Sequence, residues 1–199
     1  MTLKQYFGDL NGGSLLLADA RHVAALMLQM NSEEDWQYAL KDQNILQRKS
    51  IPTALRTAAT IRKRLSYFDK SYIEAVAHAD SPDYQQLLMA TLVKDSPIVA
   101  DFLDLYVRET ARIYKPAITK DMWWEHVDVL RRRAEGDLPY SDSTIEKMGK
   151  NLFRALAESG YIDSVRNKQL QHVYISPMVK CLIEQNGHSE LVEKIEWTL

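Results

Sequence analysis

Residue types able to ligate a metal, move a proton or act as a nucleophile are few in this chain, which has five histidines and one cysteine. His22, His78, His126, His172 and His188 never pair at metal-ligand spacing, and no H-E-x-x-H, C-x-x-C or Walker-type glycine loop occurs. No cofactor, no metal and no catalytic residue are expected, so the chain reads as a non-enzyme. His126 stands with Glu125 and Asp128 beside Trp123 and Trp124, but adjacent helix positions face different ways, and packing explains the group better than acid/base chemistry. Cys181, among Val179, Leu182 and Ile183, reads as a buried apolar filler, and Trp36, Trp123 and Trp124 as core or interface anchors. Gly12-Gly13-Ser14 could hold an anion on backbone N–H groups, yet a lone glycine pair is ordinarily a turn.

What chemistry the sequence does carry is cationic. Between Gln43 and Phe68 there is no acidic residue, while Arg48, Lys49, Arg56, Arg62, Lys63 and Arg64 all fall there. On a helix, Arg56 and Lys63 share a stripe and Arg62 and Arg64 flank the apolar seam. Such a face attracts a polyanion, because each phosphate neutralised releases counterions, and Thr53, Thr57 and Thr60 add hydroxyls for phosphate oxygens. The competing reading is a solvated helix whose arginines pair with Glu33, Glu34 and Asp35. A second face is predicted on a helix opened by a Ser143/Glu146 capping box. Its seam is Ile145, Met148, Leu152 and Leu156, which leaves Thr144, Lys147, Asn151 and Arg154 opposite. Those four are groove-reading types: Asn pairs with adenine, Lys and Arg reach guanine or phosphate, and Thr meets a phosphate or a thymine methyl. Arg166, Asn167 and Lys168 would form a basic wing tip beside them. Arg131, Arg132 and Arg133 close another helix, where they either contact phosphate or only complement the helix dipole.

The elements that must position these residues are mostly helices. Of 199 residues only seven are Gly and six Pro, and 46% are apolar, enough for an ordinary core. With 25 Lys plus Arg against 27 Asp plus Glu, neither a disordered polyanion nor a histone-like polycation is plausible. Capping and periodicity predict helices after Ser14, Ser32 and Ser50, then over Ser71–Ala79, Pro82–Lys94 and Pro97–Tyr114. The break at Pro116 suggests a helical domain over 1–116 and a second domain over 117–199. The latter holds helices over Asp121–Ala134 and Ser143–Ser159, a hairpin of Tyr161–Val165 and Leu170–Ile175, a helix after Pro177 and an acidic helical tail over Ser189–Trp197. The fold class is therefore mainly α, a helical bundle followed by a winged-helix-like module with one short β-hairpin. A single cysteine suits a reducing cytoplasm, Met1–Asp19 lacks a signal-peptide core, and the apolar run Leu87–Val93 is too short to span a bilayer.

Three stretches carry a family likeness: Leu10-Asn11-Gly12-Gly13-Ser14-Leu15-Leu16, Asn44-Ile45-Leu46-Gln47-Arg48-Lys49-Ser50 leading into Arg62-Lys63-Arg64-Leu65, and the Ser143-Thr144 helix ending Glu158-Ser159-Gly160-Tyr161-Ile162. With these, the sequence resembles the BrxA family of bacterial BREX phage-defence systems over most of its length. The resemblance implies an all-helical, double-stranded-DNA-binding accessory protein with likeness to the NusB-type antitermination fold. It would act beside a methyltransferase and other defence components. It implies no catalytic residue, and the basic positions above come from spacing alone. A helical protein–protein adaptor and an RNA-binding antitermination-like protein are the alternatives, and oligomeric state is left open.

Overall fold

The computed structural model describes residues 1–30, 32–135 and 138–196. Its helices are α1 (Leu3–Phe7), α2 (Leu17–Gln29), α3 (Glu33–Lys41), α4 (Ile51–Leu65), α5 (Lys70–His78) and α6 (Asp83–Asp95), then α7 (Pro97–Phe102) and α8 (Glu109–Arg112). They continue with α9 (Asp121–Arg133), α10 (Asp142–Glu158), α11 (Pro177–Gln185) and α12 (Ser189–Ile195). The mainly helical expectation holds. Helix α4 forms where the seam Ala54, Ala58, Ile61 and Leu65 demanded it, with Pro52 in its first turn. Ser32 caps α3 by accepting from the Asp35 N–H at 3.1 Å.

Several local expectations are corrected. Ser14 does not cap α2: the N-cap is Leu16 in left-handed conformation, and Ser14 is buried upstream with its carbonyl engaged. Helix α10 starts one residue before Ser143, its true cap being Ser141, whose Oγ accepts from the Thr144 N–H at 3.4 Å. The stretch predicted as one helix over Pro97–Tyr114 carries a π-helical turn, Leu103–Arg108, between α7 and α8. Cys181 is exposed, because α11 turns Val179 and Ile183 inward at i, i+4 and position 181 faces away. Gly136 and Asp137 of the predicted α9–α10 connection and Trp197 at the tail lie outside the described residues.

Helix α2 packs on α4 and α5, α3 on α4, and α4 and α5 on α6, while α11 and α12 return to cover α6. The buried apolar side chains form one cluster, with members on both sides of position 116. Instead of two full strands, the predicted hairpin contributes single antiparallel bridges, Ile162 with Leu170 and Ala117 with Gln169. Residues 168–171 thus lie between 116–118 and 161–163 in a minimal ribbon, held by Leu170 N–H to the Pro116 carbonyl (2.8 Å) and Gln171 N–H to the Tyr161 carbonyl (2.9 Å). Among the described residues no helix is long and apolar enough to cross a membrane.

Candidate nucleic-acid interface

Between the two helices predicted to carry basic faces lies a loop. Residues 9–15, including a 3₁₀ turn at Leu10–Gly12, thread between α4 and α10 and are bonded to both. From α4, Thr60 Oγ1 donates to Asp9 Oδ2 at 2.7 Å, and the Arg64 guanidinium donates to the carbonyls of Asp9 (3.0 Å), Gly13 (2.8 Å) and Ser14. From α10, Asn151 Nδ2 donates to the Leu10 carbonyl at 2.8 Å, and Glu158 accepts from the Leu15 N–H at 3.0 Å. A side chain at Gly12 would meet Thr60 Oγ1 at 2.5 Å, so only glycine allows this close approach of loop to helix.

This packing decides what each predicted cation can do. Arg64 is wholly interior at 3% exposure, so it is a loop clamp and not part of the outer face. Burial pulls its guanidinium below the usual arginine range, against the pull of Asp95, Asp9 and Glu158. Thr57 and Thr60 are buried as well and are not available to phosphate. Arg48 is bonded to Asp19. Arg62 is held by Glu33 at 2.8 Å and lies over the Trp36 ring at 4.4 Å, the pairing that the competing reading of α4 anticipated. Lys63 Nζ reaches Asp95 at 2.7 Å, a carboxylate whose side chain is fully buried. There burial alone would raise Asp95, but the Lys63 bond, the Asp9 N–H and the nearby Arg64 charge prevail and hold it below its ordinary value. Lys49 and Arg56 are exposed and make no ion pair among the described residues.

The α10 set divides in the same way. Asn151 is engaged by the loop, Arg154 bonds Glu158 at 2.8 Å, and Thr144 Oγ1 sits 3.0 Å from the Ser141 hydroxyl in the cap. Lys147 is the one of the four that is an exposed cation with no carboxylate partner among the described residues. Arg131 bridges Asp128 (3.2 Å) and Asp142 (2.7 Å), whereas Arg132 is exposed and makes no ion pair among the described residues. In the turn at 163–169, Asp163 accepts from the Ser164 and Gln169 N–H groups, Lys168 is buried with Nζ on the Arg166 carbonyl at 3.0 Å, and Arg166 is exposed. Lys168 therefore does not form a wing tip.

Sequence reasoning passed over the 9–15 loop as a turn. The signal that could have found it is polar spacing on α4: Thr57, Thr60 and Arg64 run i, i+3, i+7 beside the apolar seam and had to be buried with it.

With this geometry in view, comparison with known proteins is decisive. A family model described as BrxA matches residues 4–187. The chain belongs to the BrxA family. Two curated relatives, each named BREX protein BrxA, align along nearly their whole length. The one from Escherichia coli O9:H4 (strain HS) is 40% identical over 97% of this chain and 91% of its own. The one from Paramagnetospirillum magneticum is 31% identical over 98% of both chains. A crystal structure of an uncharacterized protein from Magnetospirillum magneticum superposes with a TM-score of 0.84 at 30% identity, covering 96% of this chain and 97% of that one. The BrxA match begins within α1 and includes the loop and both helices that hold it.

Proposed function

We propose that this chain is a non-catalytic accessory protein of a BREX phage-defence system that binds double-stranded DNA through its phosphate backbone. The observation that supports this reading is the surviving set of free cations. Among the described residues Lys49, Arg56, Arg132, Lys147 and Arg166 are exposed and make no ion pair with a carboxylate, in a chain whose net charge is −2. Arg56 lies one turn before Thr60 on α4, and Lys147 one turn before Asn151 on α10, so the two cations extend from the two sides of the bonded loop. In this reading α9, α10 and the ribbon act as a winged-helix-like module following a NusB-like bundle, with Arg166 at its turn. The paired Arg48, Arg62 and Lys63 contribute less, since each would first have to leave a carboxylate.

A salt-titrated gel shift with duplex DNA, single-stranded DNA and RNA side by side tests the proposal. Duplex affinity should fall steeply with salt and drop at least tenfold when Lys49 and Arg56 are both replaced by Glu. Unchanged retention by that variant removes the reading, and a preference for RNA favours the antitermination-like alternative. The adaptor alternative draws on Leu105, Ile113 and Tyr114, exposed at 54%, 60% and 93%. Nuclease-resistant co-purification with the system's methyltransferase, without DNA affinity, would favour it.

A further inference from the structure

Arg62 and Trp36 form a stacked pair between two hollows. A hollow of about 310 Å³ on one side includes Met27 and Met30, and one of about 490 Å³ on the other includes Leu55, Ala59, Gln37 and Ser66. Both are of ligand size. The guanidinium is held 4.4 Å over the indole and bonded to Glu33 at 2.8 Å, so it is positioned before binding and costs little to order. Leu55 and Ala59 give the larger hollow an apolar wall. Gln37 donates to Glu33 at 2.9 Å and keeps its carbonyl oxygen, and Ser66 donates to the Lys63 carbonyl at 2.7 Å and keeps its acceptor lone pairs. Arg56, exposed and without an ion pair among the described residues, lies three residues before Ala59 on α4, one turn from the hollow.

We infer that this hollow takes a single unstacked nucleobase of DNA, bearing an exocyclic amino group, stacked on the Arg62 guanidinium while its phosphate sits on Arg56. The inference rests on the duplex-binding reading and adds to it a preference for DNA with an extruded base. The chemistry is that of a base platform: a planar cationic floor backed by an aromatic ring, apolar walls, and acceptors at the rim for the amino edge. Neither an aliphatic side chain nor a bare phosphate would use all three.

The test compares a fully paired duplex with the same duplex carrying one bulged 2-aminopurine, using anisotropy for affinity and 2-aminopurine fluorescence for stacking. The bulged duplex should bind about five- to tenfold tighter, as expected for one stacked base, with the fluorescence enhanced, because extrusion onto a guanidinium removes the neighbouring bases that quench 2-aminopurine. Arg62→Lys keeps the charge and loses the plane, so the ratio of bulged to paired affinity should fall to about one; Trp36→Leu should lower it as well. Equal affinity for both duplexes without enhancement, in a protein that still binds paired DNA, overturns the base site. Binding to neither duplex overturns the duplex reading beneath it. Enhancement that survives Arg62→Lys would place the bulged base elsewhere and also overturns the assignment.

Discussion

Arg64 carries its charge into the interior to serve three backbone carbonyls, and few single residues hold this chain together as directly. Replacing it with Met removes the donors and leaves the carbonyls of Gly13 and Ser14 without partners, while that of Asp9 keeps the Gly12 N–H at 3.0 Å. Each buried orphan costs on the order of 1–3 kcal/mol, so with two of them Arg64→Met should lose about 2–6 kcal/mol in urea unfolding, read as a lower midpoint at unchanged slope. His126 supplies a second prediction. It is 3% exposed, its Nε2 lies 3.3 Å from the Tyr6 hydroxyl, and the rings of Phe102 and Tyr106 meet its edges. Burial pushes its imidazole below the ordinary value, with Asp101 pulling it back and Arg133 pushing it further down. The unfolded chain therefore binds the proton more readily. The stabilisation is complete above the unfolded value of about 6.5 and is lost as pH falls through the lower folded value. Thermal melts across pH 7 to 5 should show this loss, and His126→Gln should remove that part of the slope. Asp95, held low chiefly by Lys63 against its own burial, contributes in a separate and more acidic window.

At the scale of elements, α9 and α10 are locked by a contact that only glycine permits. Trp123 is buried, its indole N–H donates to the Ile145 carbonyl at 3.0 Å, and a Cβ at Gly149 would stand 2.5 Å from its ring. Gly149→Ala should therefore cost about 1–3 kcal/mol by overpacking, with near-ultraviolet circular dichroism reporting the displaced tryptophan. The π-helical turn at Leu103–Arg108, whose Tyr106 meets His126 of α9, has a comparable role toward α12. It includes Arg108, which donates to the carbonyls of Glu193, Lys194 and Glu196 and so caps the C-terminal end of α12. Periodicity predicted one helix there, because a single widened turn leaves the apolar pattern almost unchanged.

For the whole molecule, the free cations rather than the total charge govern behaviour toward a polyanion. Each phosphate contact adds about 0.9 to the slope of log affinity against log salt. Neutralising Lys49 and Arg56 to Gln should flatten that slope by about two and weaken binding alike on all duplex sequences. Replacing Lys63 is a poorer probe, since it strands the buried Asp95 carboxylate and would confound folding with binding.

Composition, caps and the 3.6-residue period sufficed to predict a mainly helical chain, the positions of α3, α4, α9 and α10, and the acid-free cationic island that leads into and includes α4, because these are local properties of neighbouring residues. Pairing is not local. Arg48 finds Asp19, Lys63 finds Asp95, and Asn151 finds the Leu10 carbonyl across 29, 32 and 141 positions of chain, so helix packing alone selected which charges remained free. The hairpin was over-read for the same reason: β-branched residues favour extension, but without a longer partner edge the segment makes only single bridges. Tertiary structure thus turned the predicted basic face into a smaller set of free cations beside a clamped loop, because a buried polar group must be satisfied wherever its partner lies in sequence.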